Sequence, residues 1–261
     1  MYIKMQSYEN VFNRSIENFN ATGVNEEIFE SFRSQNKLYA FIDNGDYPLD
    51  IEADSIAKNI NISMWSKYKE MLKDRVKLGY NNSTSVHSDY TNLDSRHIMM
   101  FVILFTHIPL KFFDSIVEIG GGFGNWLTMN RFVTFRKWSI IDLPHVSLLQ
   151  NWFLSKQGIS PEIYETISAF EYDEWALNHS SFDLVIGTHS VSEFSYSVFL
   201  NYFKKVISKS KYFFYCYHNT MPSRQLIVAK LNSIELVFEP IFTVLSESNN
   251  VTNCLYKHKF I

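Results

Sequence analysis

The sequence predicts an α/β protein: a Rossmann-like doubly wound sheet, mostly parallel, with an antiparallel C-terminal strand and a helical cap at the N-terminus. Three observations predict it. From about residue 112 short apolar strands alternate with helical segments. The first of those strands runs directly into a glycine cluster, Gly120-Gly-Gly-Phe-Gly124. The chain then ends on two strand-like runs joined by the turn-rich Ser246-Glu-Ser-Asn-Asn250. Before residue 112 the apolar spacing is helical, which divides the chain into a cap region, 1–111, and a sheet domain, 112–261.

In the cap, Asn25 to Arg33 opens on a plausible N-cap and carries apolar residues at helical spacing. Ile56 to Val76 reads as one helix with Ile60, Met64, Tyr68 and Met71 along one face. Gly79 to Ser85 is a loop, and Asp94 is the expected cap of a buried helix through Ile98 to Phe105. In the sheet domain the strands are Ser115–Ile119, Trp138–Ile141, Ile163–Ile167, Phe182–Gly187 and Tyr212–Tyr217. Helices fall between them, from the glycines to about Val133, over Val146–Gln157 and over Tyr196–Ser208. Such alternation implies parallel strands joined by right-handed crossovers. Ile234–Leu245 and Cys254–Phe260 form the closing hairpin.

Composition narrows the function classes. Of the 261 residues 46% are apolar and 16% aromatic, enough for a sizeable core and against disorder. Net charge is −3 and the basic residues are scattered, so the stripe a nucleic-acid backbone requires is missing and no nucleic-acid partner is expected. The two cysteines, Cys216 and Cys254, make neither a disulfide framework nor a metal knuckle, and suit a reducing cytoplasm. The start lacks a signal-peptide layout, and Ile98 to Leu110 is too short to span a bilayer, so no membrane insertion is expected.

The chemistry starts at Ile116-Val-Glu-Ile119 and the glycines after it. A strand that turns sharply and lets a ligand touch its backbone needs residues without side chains, and the following helix offers N–H groups to the ligand. A dinucleotide loop would place a third glycine where Asn125 stands, so that match is partial. Glu118 inside the strand points away from a pyrophosphate and toward a cationic ligand. S-adenosylmethionine (SAM) carries an α-ammonium and a sulfonium, and Glu118 is placed to attract the ammonium through water. Asp142, about 20 residues past the loop, has the spacing of an acid that accepts both ribose hydroxyls of an adenosine. Taken alone it is equally an ordinary strand-end acid.

Val-Glu-Ile-Gly-Gly-Gly-Phe-Gly, then Ile-Ile-Asp-Leu-Pro, then Phe-Asp-Leu-Val-Ile-Gly-Thr-His-Ser-Val-Ser-Glu-Phe resembles the putative sugar O-methyltransferase family, within the class I SAM-dependent methyltransferases. The resemblance spans about residues 112 to 200, with a weaker extension at Phe32-Arg-Ser-Gln-Asn36. It implies SAM as cofactor, S-adenosylhomocysteine as product, and a sugar, nucleotide-sugar or glycan hydroxyl as acceptor. The antiparallel ending agrees with that fold. The Gly-Gly-Gly and Asp-Leu-Pro-His pieces are also similar to plant-type small-molecule O-methyltransferases. Those use a His-Asp pair after the fifth strand, and the counterpart here is His218-Asn219, so that mechanism is not carried over.

On this reading Glu118, Gly120, Gly121, Gly122 and Gly124 hold the amino-acid end of the cofactor, and Asp142 with Leu143 the ribose. Ala169 and Phe170 border the adenine, where Phe170 either stacks or is simply buried. Thr188 and His189 end the fourth strand beside the reacting methyl. His189 is either the general base that takes the hydroxyl proton or a wall of the cofactor pocket. Glu193, four residues on, either orients it and holds substrate hydroxyls or is a solvated helix-start acid. His87, Tyr90, Arg96 and His97 cluster before the buried helix. Tyr90 and Arg96 either close over the SAM carboxylate, or Arg96 pairs with Asp94 at a helix start. His145 and His218 are further candidates for the pocket border. No acidic pair stands at the right end of the sheet, so no metal is expected. The alternatives are a phenol or amine methyltransferase, a non-catalytic interaction module on the same fold, and an NAD enzyme, which Asn125 and the closing hairpin disfavour.

Overall fold

The computed structural model describes residues 50–73, 92–109, 112–130, 133–219, 223–247 and 250–261, with residues 29, 30, 32, 76 and 78. Two helices, α1 (Ile51–Ile60) and α2 (Ile62–Lys73), stand where the sequence predicts one. The break is Asn61, whose backbone is extended and whose side-chain oxygen accepts from the Met64 N–H at 3.1 Å, so it caps the second helix while ending the first. Helix α3 (Asn92–His107) starts before Asp94, which therefore lies in the first turn rather than at the cap. The predicted loop Gly79–Ser85 and most of Asn25–Arg33 lie outside the described residues.

The sheet strands are β1 (Phe112–Ile119), β2 (Thr134–Asp142), β3 (Tyr164–Ser168), β4 (Phe182–Thr188), β5 (Ser210–His218), β6 (Phe238–Ser246) and β7 (Val251–His258). Their order is β3-β2-β1-β4-β5-β7-β6, parallel through β5, with β7 antiparallel between β5 and β6. The order reverses between β1 and β4, so the crevice beyond their carboxyl ends is where such a sheet takes a ligand.

The crossovers are α4 (Asn125–Met129), α5 (Pro144–Lys156), α6 (Tyr172–Leu177), α7 (Ser190–Glu193), α8 (Tyr196–Lys205) and α9 (Arg224–Val237). Two depart from the sequence reading. Helix α4 closes at Met129 instead of running to Val133, and Thr134 already belongs to β2. Ile234 is the last buried residue of α9, so the hairpin starts at Phe238. Its neighbours Ile227 and Lys230 repeat at helical spacing, and that tertiary face outweighs the β-branched run that suggested a strand.

Each sheet face is apolar and covered. On one side Ile116, Trp138, Leu184, Ile186 and Phe214 share a core with Ala53, Ala57, Tyr68 and the whole of Ile98–Leu104 from the cap helices. On the other, Val117, Ile141, Val185, Phe213 and Tyr215 pack on Phe199, Ile227 and Ile234 of α8 and α9. The near-continuous apolar runs of β1, β4 and β5 follow from this two-sided burial.

Candidate active site

At the end of β1, Glu118 is buried on the cap side of the sheet. Its Oε2 accepts from the Trp138 indole N–H at 3.1 Å, and its Oε1 has no hydrogen-bond partner among the described residues. Burial pushes this carboxyl up to about 8; the Trp138 bond pulls it down, and the charge of Asp142 adds to the rise. A buried carboxyl oxygen left open in this way is free to meet a further polar group.

The glycines make that oxygen reachable. Gly120, Gly122 and Gly124 have φ of 73°, 57° and 88°, backbone that a side chain disfavours. A Cβ on Gly120 would lie 2.2 Å from Ser190 Oγ. One on Gly121 would lie 2.5 Å from Ile140 Cγ2 and 3.1 Å from the Glu118 carboxyl carbon, and so would cover the acid. Ser190 fills the space left at Gly120: its hydroxyl donates to the Ile119 carbonyl at 2.6 Å and to the Thr188 carbonyl at 3.2 Å, stitching the ends of β1 and β4 together.

Asp142, at the end of β2, is tied to the same loop. Its Oδ1 accepts from the Leu143 N–H at 2.8 Å and its Oδ2 from the Gln150 amide at 3.0 Å. The Gln150 amide also donates to the Gly122 carbonyl at 2.9 Å. Burial pushes the Asp142 carboxyl up to about 7, opposed by N–H groups of Leu143, Gly122 and Gly121 and by Gln150. Glycine loop and acid are therefore one hydrogen-bonded unit. Leu143 is the N-cap residue of α5, with Pro144 at the first helical position. The Ala169 N–H donates to the Asp142 carbonyl at 2.7 Å, which brings the end of β3 to the same rim. There Phe170 is 74% exposed, so it is no core residue.

The far side of the crevice is built by β4 and β5. Thr188 pairs with Cys216 across the strands, and the His189 N–H donates to the Cys216 carbonyl at 3.0 Å. The His189 ring lies with Nε2 3.6 Å and Nδ1 4.0 Å from the Cys216 sulfur, and 4.9 Å, centre to centre, from the His218 ring. Its pKa is lowered to about 3, first by burial and then by the positive charges of His218, Arg96 and His97. Burial pushes the Cys216 thiol up to about 12, so it is a neutral neighbour. His189 has φ 52° and ψ −58°, the strained γ-turn region, and caps the short helix α7. Glu193 is exposed; its N–H donates to the His189 carbonyl at 3.2 Å, while the close side-chain neighbours of the His189 ring are Cys216 and His218.

From the cap, Arg96 donates to Asp50 at 2.8 Å instead of pairing with Asp94. Asp94 and His97 each take the Asn125 amide, at 3.2 and 2.9 Å, which joins α3 to the residue that opens the helix after the glycines. Phe32 packs on Phe123 of the loop with ring centres 5.1 Å apart. His145 is buried in the first turn of α5, and burial lowers its pKa. His87 and Tyr90 lie outside the described residues. Among the described residues no group of three or more His, Cys, Asp or Glu is arranged to hold a metal ion.

No protein-family model matches the chain, and no curated protein matches it by sequence. Solved structures do match by shape. A putative RNA methyltransferase from Pyrococcus horikoshii superposes with a TM-score of 0.51 at 10% identity, covering 74% of this chain and 97% of its own. The shared fold is a Rossmann-like seven-stranded mixed sheet with an antiparallel C-terminal strand and helices around it, the fold of that methyltransferase neighbour. A second protein from Pyrococcus horikoshii OT3 superposes with a TM-score of 0.51 at 12% identity, over 67% and 94% of the two chains. An O-methyltransferase family protein from Burkholderia thailandensis gives a TM-score of 0.45 at 11% identity, over 79% and 71%.

Within this methyltransferase fold the structure adds residues that the sequence reading passed over. The sequence shows Trp138 only as the start of a strand and Gln150 only within a helix, yet they bond to Glu118 and Asp142. The detectable signal for Gln150 was a polar residue one turn past Val146 on an otherwise apolar helix face. Cys216 and Lys230 gave no local signal, because their partners lie on other elements.

Proposed function

We propose that the chain is a SAM-dependent methyltransferase acting on a hydroxyl oxygen of a sugar or glycan. The observation that carries the cofactor assignment is the buried Glu118 oxygen without a partner among the described residues, opened by Gly121 and joined through the loop to Asp142. These residues suit a ligand with an ammonium at one end and a ribose at the other. Bound SAM would supply a methyl made electrophilic by its sulfonium. Glu118 would hold the ammonium and Asp142 the ribose hydroxyls, with Phe170 against the adenine.

His189 then serves the acceptor. With Nε2, the nitrogen nearer Cys216, carrying the ring hydrogen toward the sulfur, the Nδ1 lone pair would take the hydroxyl proton as the oxygen–methyl bond forms and the methyl–sulfur bond of the cofactor breaks, leaving the electron pair on sulfur. A ring with a pKa near 3 is a weak base, so alignment of the oxygen by the surrounding pocket supplies more of the rate than proton removal does. The sugar acceptor is supported by the sequence resemblance over residues 112–200. The Pyrococcus horikoshii neighbour is described as acting on RNA. That does not fit the exclusion of nucleic acid by charge, and a shared fold does not carry the acceptor with it. The phenol or amine reading keeps the same cofactor site.

Calorimetry with S-adenosylhomocysteine beside NAD tests the cofactor: binding of the first alone is expected, and binding of NAD alone overturns the assignment. A SAM-turnover assay across nucleotide sugars, glycans, catechols, amines and RNA tests the acceptor. Methyl transfer confined to the last three removes the sugar.

A further inference from the structure

Lys230 stands in the middle of the buried face of α9, between Ile227 and Ile234, and is fully buried. An apolar side chain would fill that position at less cost, because an ammonium leaves water only at a large penalty. Its three hydrogens have three acceptors: the carbonyls of Val191 at 2.9 Å, Ser192 at 2.8 Å and Phe194 at 2.6 Å. Among the described residues no carboxylate forms an ion pair with it. All three carbonyls belong to the turn through α7 and just after it, where a helix end presents negative charge to a cation.

The other end of that turn is His189. Its carbonyl accepts from the N–H groups of Ser192 and Glu193 and from the Ser192 hydroxyl, and its own N–H is held by Cys216. A residue with strained backbone persists only where its surroundings over-determine it. Ser190 pins the front of the turn to β1, and the ammonium pins the back to α9.

We propose that Lys230 is a positioning residue: by clamping the carbonyls of Val191, Ser192 and Phe194 it holds His189 in its strained conformation with the ring against Cys216. That the ring then serves methyl transfer rests on the function proposed above; the clamp itself does not. An ammonium is suited to the task because its three donors converge on carbonyls from three directions, which a planar guanidinium does not do.

The test uses the full chain carrying Lys230→Met, which keeps length and removes the donors, with circular dichroism confirming the fold. Carbon NMR of the histidine rings reads the position of His189. The wild-type ring is expected to stay neutral to about pH 4, and the variant ring to titrate closer to the ordinary imidazole value of about 6.5. Turnover of SAM should fall about tenfold with S-adenosylhomocysteine affinity changed less than twofold, as for a group that acts on the transition state alone. A folded variant whose His189 signals and titration match wild type overturns the proposal.

Should the variant not fold, wild type decides. Burial lowers the pKa of Lys230 to about 8, with Glu193 the charged group acting on it. Those acting on His189 are His218, Arg96 and His97, and the other group of the crevice near that value is Glu118, pushed by burial up to about 8. An inflection of the His189 signals near pH 8 that persists in Glu118→Gln supports the clamp; a flat response, or an inflection lost in that variant, overturns it. If the ring responds but S-adenosylhomocysteine does not bind, the clamp stands and the methyltransferase reading falls.

Discussion

The two ends of the crevice are built on different principles. The β1–β2 end is made of backbone: bare glycines, a strand-end acid and the N–H groups that turn toward it, all drawn from residues 118–150. The β4–β5 end is made of side chains brought in from four places. His189 follows β4, Cys216 and His218 come from β5, Arg96 and His97 from α3, and Lys230 from α9. A backbone cradle fixes one ligand, since changing it means changing the turn. A convergent set of side chains can be exchanged one at a time while the cradle stays, which is how one fold serves many acceptors.

That contrast is sharpest when each end is broken separately. His189→Ala is expected to give the largest effect, a fall in turnover of about a hundredfold, the low end for a lost proton acceptor because the ring is a weak base. Affinity for S-adenosylhomocysteine, by calorimetry, should stay within about twofold, since the cradle does not use the ring. A matching loss of affinity would make His189 a wall of the cofactor pocket. Asp142→Ala should do the reverse. Loss of a charged acceptor shared by two hydroxyls weakens cofactor binding about 30-fold, within the range for hydrogen bonds to charged groups. Asp142→Asn, which keeps the shape that Gln150 and Leu143 hold, should retain the fold but recover little of the affinity. Full recovery would mean that the charge is not what the ribose sees.

The same contrast explains how much the sequence disclosed. Five parallel strands and the closing hairpin follow from local apolar runs and turn residues, and the structure agrees within a few residues at most ends. Glycines and acid were legible because what joins them lies in the backbone and in spacing along the chain. The break at Asn61 was legible in principle, as a capping residue inside a helical run, but the apolar face passes through it unbroken. Lys230 was not legible. Its partners lie 36 to 39 residues away, and α9 was masked by the β-branched run around Ile234. Nor does a sequence show that Arg96 answers to Asp50, 46 residues before it, rather than to Asp94 nearby.

At the rim between the two ends, Phe170 is a smaller test. It is exposed, yet its neighbour Ala169 bonds to the backbone of Asp142. If the ring stacks on the adenine, Phe170→Ala should weaken S-adenosylhomocysteine about fivefold, in line with an aromatic contact partly open to water. Thermal stability without ligand should hardly change, because little buried surface is lost. Unchanged affinity would assign the adenine to another wall.

The smallest effect is a fraction of a proton, and it tests the cradle without altering it. Burial raises both Glu118 and Asp142, so near neutral pH the ligand-free protein holds protons that the unfolded chain has already lost. Their contribution to stability is therefore complete below about pH 4, the unfolded values, and declines as pH rises through about 7 to 8. A ligand ammonium beside Glu118 favours the carboxylate, so binding should release those protons, and affinity should rise from pH 6 to pH 8. Calorimetry of S-adenosylhomocysteine at pH 7 in buffers of different ionisation enthalpy measures the release as a slope. A slope of up to about one proton is expected for wild type, and a smaller one for Glu118→Gln, which keeps the shape and loses the titration. Equal heats in every buffer would show that no buried acid meets the ammonium, and the loop would then be a turn like any other.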